Sequence, residues 1–166
     1  MLSLFRARVN ANTRVALTGA LATGAVATGT LLPLVMIERV TGLGVFAIPF
    51  VASAAAIALA PAAPLVRPRA IALGYVVAAL VSLAVTAAFG PSTYAAALAA
   101  AVSIVLMALL KAPHVPAVAA AAVIGLNDPG VGYLLDPLLP ATASVMVTPL
   151  IVGRFLPNFS YPLSWR

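Results

Sequence analysis

Val15 to Ile37 is a predominantly apolar run of about 23 residues, roughly what is needed to cross the hydrocarbon core of a bilayer, and it is the first of six such segments. Inside lipid every backbone N–H and C=O must be satisfied by the chain itself, which leaves only helices and closed barrels as spanning structures. The runs are continuous and rich in Ala and Leu, without the alternation of barrel strands. The fold class expected is therefore all-α, a polytopic transmembrane helical bundle. Composition agrees, with 64% hydrophobic and 7% charged residues and a mean hydropathy of +1.17. A water-soluble domain carries about a quarter charged residues. Residues 1–166 form a single integral membrane domain on this reading. Arg6, Arg8 and Arg14 precede the first run in the manner of a signal peptide. The run is too long for a signal core, and it ends in Leu-Val-Met-Ile-Glu rather than at a small-residue cleavage site, so a retained first span is expected.

The six segments run from about Val15 to Ile37, Leu43 to Ala60, Ala70 to Phe89, Tyr94 to Leu110, Pro116 to Leu126 and Tyr133 to Gly153. Thr41-Gly42, the prolines at 61, 64 and 68, Gly90-Pro91 and Asn127-Asp128-Pro129-Gly130 punctuate them. If every segment crosses and the N-terminus is cytoplasmic, Arg6, Arg8, Arg14, Arg67, Arg69, Lys111, Arg154 and Arg166 fall inside, and only Arg39 falls outside. That bias is the positive-inside pattern, and it predicts cytoplasmic N- and C-termini in the cell (inner) membrane. The net charge of +6 does not point to a nucleic-acid partner, because the basic residues sit singly or in pairs between apolar runs.

The fifth segment is too short to span. Eleven helical residues rise about 16 Å, roughly half the hydrocarbon thickness. It crosses only as part of a discontinuous span, whose non-helical backbone must be surrounded by protein or line a cavity. An internal similarity accompanies it: Phe50 to Leu59 resembles Pro116 to Gly125, each near a proline (Pro49, Pro113). Repeats over 15–89 and 94–153 would enter the membrane from opposite sides, the inverted arrangement in which broken helices meet near the midplane. Alanine-rich segments also match one another by chance.

The stretch Pro113-His114-Val115-Pro116 is the most informative in the chain. Pro116 suits the first turn of a helix, and the N–H groups of Ala117 and Val118 would then be unpaired at a helix start, a favourable place for an anion. His114 and Lys111 would add donors or positive charge. The same residues also read as a proline-rich interfacial loop with a snorkelling lysine. Ser53, beside Ala54 in the second segment, either offers a hydroxyl or packs against a neighbouring helix. Asp136 reads either as a proton acceptor or partner for Lys111 or His114 or, as is commoner at a segment edge, as a solvated helix end. Asp128 reads as a turn residue, and Gly19, Gly24 and Gly29 as close-packing positions on the first span. With no Cys and a single His, no usual zinc site can form, and no nucleophile–base pair or phosphate loop is visible. Neither an enzyme nor a cofactor is expected.

Lys111-Ala-Pro-His-Val-Pro-Ala117 resembles the His-Pro-Pro motif of the HPP family of small integral membrane proteins. Pro49 to Leu59 is similar to that family's Gly-Ala-Ser segment and Arg67-Pro-Arg69 to its "QPRN" turn. Leu156-Pro-Asn-Phe-Ser-Tyr-Pro-Leu-Ser-Trp165 resembles its closing "YPxxW". The marks keep the family's order from about residue 44 to 165. The triplet reads His114-Val115-Pro116 here, and glycines usual after it and near Ser53 are replaced by Val or Ala. Some family members are associated with nitrite transport, which implies a small inorganic anion as the partner besides the lipid bilayer. Two readings stand: a transporter or channel for nitrite or a related small monovalent anion, and a non-transporting structural or partner-binding membrane module. A homo-oligomer is compatible with both.

Overall fold

The computed structural model describes residues 2–156 and 159–162, with side chains at 13 and from 15 onward. Trp165 and Arg166 lie outside the described residues, and the side chains of Arg6, Arg8 and Arg14 are likewise outside them. The described chain forms six α-helices and no strand: α1 (Leu2–Thr41), α2 (Ile48–Leu59), α3 (Pro68–Phe89), α4 (Thr93–Leu109), α5 (Val115–Asn127) and α6 (Leu138–Gly153). A single 3-10 turn, Pro64–Val66, precedes α3, and another, Val131–Leu134, precedes α6.

Local chemistry sets the boundaries. Proline opens α2, α3 and α5 within their first two residues, where its missing N–H leaves nothing unpaired. Ser92 caps α4 by accepting from the Ala95 N–H at 3.0 Å, and Gly90 (φ 74) ends α3 in a conformation that disfavours any side chain. Asp128 ends α5 in the left-handed region at φ 43, which Asp tolerates better than most residues.

Three helices are long and apolar enough to cross a membrane: Val15–Thr41, Pro68–Phe89 and Val131–Gly153. The expected shortness of the fifth segment is present, since 13 residues rise about 20 Å. The expectation for the second segment needs correcting, because α2 is as short, with 12 residues. Residues 42–47 reach it without helical structure, and Val45 among them is wholly buried. The end of α2 and the start of α5 both meet the 64–66 turn, so the two short helices run in opposite senses.

The main helix pairings are α3 with α4 and α5, α4 with α5, α1 with α2 and α6, and α2 and α3 each with α6, with α2 also against α5. This set is unchanged when α1, α2 and α3 exchange places with α4, α5 and α6. The core centres on Phe50, Ile57, Ile71, Tyr75, Ile124 and their alanine neighbours between α2, α3 and α5, and extends to Leu34, Met107 and Val145 on the other helices. Small residues let the backbones close up: a Cβ on Gly125 would lie 2.5 Å from the Ala96 Cα. On α1 only Gly29 packs this way, against Val152; Gly19 and Gly24 have nothing within 4 Å, contrary to the close packing expected of all three.

Candidate functional site

The non-helical stretch between α4 and α5 is what builds the site. Lys111 turns the chain with φ 51, and the backbone then runs inward through buried Ala112 to His114, the N-cap of α5. Gly74 on α3 makes room for it: a Cβ there would lie 2.6 Å from the His114 Cβ. Gly74 stands six residues into α3, about 9 Å along its axis. The site thus lies toward the end where α3 begins rather than midway along that helix.

His114 is 1% exposed, and both ring nitrogens are engaged. Nδ1 donates to the Leu65 carbonyl at 2.7 Å, because a carbonyl can only accept. Nε2 lies 2.8 Å from the Ser53 hydroxyl, which lies 2.8 Å from the Tyr75 hydroxyl. Tyr75 donates to the Pro49 carbonyl at 2.8 Å. The result is a continuous polar chain from α2 through α3 and α5 to the 64–66 turn. The imidazole meets the Tyr75 ring edge-on with centroids 5.2 Å apart, and the Phe50 ring packs tilted against that tyrosine at 5.1 Å.

Outside this chain lies a small cavity of about 30 Å³ lined by Pro64, Arg67, Arg69, Ala70 and Lys111. It has room for roughly two waters, or for a triatomic anion. Arg69 is held there by donating to the Leu110 carbonyl at 3.1 Å. The C-terminal tail closes the same end: the Tyr161 hydroxyl donates to the Val66 carbonyl at 2.9 Å, and burial pushes its phenol up from the ordinary value, keeping it a donor. A wider groove of about 580 Å³ runs between α3 and α6, walled by apolar residues such as Val76, Leu80 and Leu139. His114 lines neither cavity.

Of the residues singled out in the sequence, Ser53 and His114 are in direct contact. Lys111 is exposed and belongs to the outer cavity. Ala54, Pro116 and Ala117 are buried wall residues, and Val118 is partly buried against the core. One expectation is corrected: the Ala117 N–H is not free for an anion, since it donates to the His114 carbonyl at 3.1 Å. Sequence reasoning passed over Tyr75, the lone tyrosine of an Ala- and Val-rich helix, although a buried Tyr needs a polar partner. It also read Arg67 and Arg69 as topology signals and as part of a family-like turn, not as cavity-lining residues.

The residues that meet here come from segments far apart in the chain: 49–53, 64–69, 75, 111–114 and 161. The description "HPP, transmembrane region" fits residues 11–162, nearly the whole chain. Two transmembrane proteins of Dictyostelium discoideum are each 32% identical to it over 124 residues, 70% of this chain. The chain spans less than half the length of these relatives, 40% and 44%. No solved structure matches it. With the family's pattern running from the first helix to the tail that bonds Val66, the chain belongs to the HPP family of integral membrane proteins.

Proposed function

We propose that the protein is a permease for a small monovalent anion, nitrite first among the candidates. In this reading Arg67, Arg69 and Lys111 form the mouth, and the Ser53–Tyr75–His114 chain closes the path in the conformation described. The observation that carries it is the convergence of three cationic side chains, from the start of α3 and the end of α4, on one small cavity. Two of its lining residues border the chain, Pro64 beside Leu65 and Lys111 three residues before His114. Cations gathered around a recess raise the local concentration of an anion. The helix pairing that survives exchange of the two halves supports a repeated architecture, which in transporters places the substrate path between the halves. In this reading the bias of basic residues supports a mouth on the cytoplasmic side of the cell membrane.

Flux in proteoliposomes tests it. Purified protein should accelerate uptake of nitrite, nitrate or formate over protein-free vesicles, and replacing Arg69 and Lys111 should slow it. Uptake of all three anions at the protein-free rate sinks the proposal. A second reading, a non-transporting membrane module, is favoured by the sealing of His114 from both cavities and by the uncovered Gly19 and Gly24. It expects no flux, together with self-association that bulky residues at Gly19 and Gly24 abolish.

A further inference from the structure

Counting hydrogens along the buried chain gives a result that its distances alone do not. There are four contacts: Leu65 carbonyl to Nδ1 at 2.7 Å, Nε2 to Ser53, Ser53 to Tyr75, and Tyr75 to the Pro49 carbonyl, each of these three at 2.8 Å. Both ends are carbonyl oxygens, which have no hydrogen to give. Four contacts need four hydrogens, whereas a neutral imidazole, a serine and a tyrosine bring one each. A neutral ring therefore leaves two lone pairs facing each other at hydrogen-bonding distance. Forked sharing of one hydrogen is the usual way out, and it is visible elsewhere in this molecule. Ser82 forks between the Ala78 and Ala121 carbonyls at 2.6 and 3.0 Å, and Thr86 between Leu83 and Asp128 at 3.2 and 3.0 Å. Each fork has an arm of at least 3.0 Å, and the His114 chain has none.

We propose that His114 is a proton-binding site, occupied in this conformation, and that its proton is taken up together with the anion. The proposal rests on the permease reading for its second half only. When the site opens to solvent, the Nε2 lone pair takes a proton from hydronium: one N–H bond forms, one O–H bond of the hydronium breaks, and neutral water is left. Nε2 then donates to Ser53, Ser53 to Tyr75 and Tyr75 to Pro49, so every contact holds one hydrogen. Burial opposes a charged imidazole, and the complete set of donors and acceptors opposes a neutral one. The titratable and charged groups around the ring are Tyr75 on α3, Tyr133 in the same core cluster, Tyr161 of the tail through Val66, and the three cations of the cavity. None is a carboxylate. Glu38 accepts from the Phe46 N–H, Asp128 accepts from Thr86 at the far end of α3, and Asp136 is exposed. The imidazolium thus has no built-in counter-ion, and an anion in the basic cavity would supply one. Loss of the proton opens one contact of the chain, either Nε2 to Ser53 or Ser53 to Tyr75.

The chain has one histidine, so ¹⁵N-histidine labelling of the whole protein gives a single imidazole to titrate. In lipid at pH about 6.5, where a free imidazole is half neutral, both ring nitrogens should carry hydrogens. Ser53→Ala and Tyr75→Phe each remove the contact that demands the extra hydrogen, and should weaken proton affinity about tenfold. Ser53→Thr keeps the count and should keep the affinity; circular dichroism identifies any variant that has lost its helices. A ring that stays neutral at pH 6.5, or that titrates alike in all folded variants, overturns the proton site. In proteoliposomes an acid-outside gradient should speed nitrate and nitrite uptake, with one proton entering per anion by an internal pH dye. Anion flux indifferent to that gradient overturns the coupling. A titrating imidazole in a protein without flux sinks the permease and leaves the proton site standing.

Discussion

α3 carries polar side chains against α5 at two places, and the two are built on opposite principles. Near its end, Ser82 and Thr86 each share a single hydrogen between two acceptors, one arm of each pair stretched to 3.0 Å or more. Nothing there needs a proton, and the acceptors are three helix carbonyls, of Ala78, Leu83 and Ala121, plus the exposed Asp128, the C-cap of α5. Near its start, Tyr75 joins a serine and a histidine in a run of uniformly short contacts that a neutral ring cannot fill. The first arrangement tolerates either loss or imprecision, while the second is sensitive to one hydrogen. Buried polar groups in one helix pair can thus serve as glue at one end and as a titratable device at the other.

Substitutions separate the two ends. The largest loss of stability is expected for Gly125→Ala, whose Cβ would meet Ala96 Cα at 2.5 Å and Ala96 N at 2.8 Å, because backbone cannot step aside. We expect about 3 kcal/mol by thermal unfolding in detergent, with flux per folded molecule unchanged. Gly74→Ala meets the His114 Cβ at 2.6 Å, an atom held by the backbone, so a loss of about 2–3 kcal/mol is expected. There flux and the histidine titration should fail together, and retention of both would erase the distinction between the ends. Arg69→Gln with Lys111→Gln should cut uptake about tenfold at low anion and low salt, with the difference shrinking in high salt. Ser82→Ala should cost about 1 kcal/mol and leave proton affinity untouched. Asp128→Asn keeps both the left-handed backbone and an acceptor for Thr86, so only a few tenths of a kcal/mol are expected.

Much of the bundle was legible because hydropathy and proline punctuation are read at the scale of helices. Six segments, their turns, and the shortness of the fifth follow from counting residues. What failed was local. Leu43 to Ile48 is apolar enough to pass for helix, and only tertiary burial of its irregular backbone distinguishes it. Ser53 and His114 were each singled out from residue type, but their direct contact was not, and Tyr75 could not be assigned without knowing which face of α3 meets α2. Arg67 and Arg69 illustrate a different loss. A charge that orients a loop and a charge that lines a cavity look identical in sequence, and Lys111 had to be brought beside them by folding before a mouth existed.

The 64–66 turn has one more consequence. Leu65 accepts from the buried ring and Val66 accepts from Tyr161, so the histidine and the C-terminal tail are tethered through adjacent peptide groups. Two restraints on neighbouring carbonyls are thermodynamically linked: whatever weakens one releases ordering on which the other depends. Hydrogen exchange in the tail would therefore read the protonation of a side chain that is buried in this conformation.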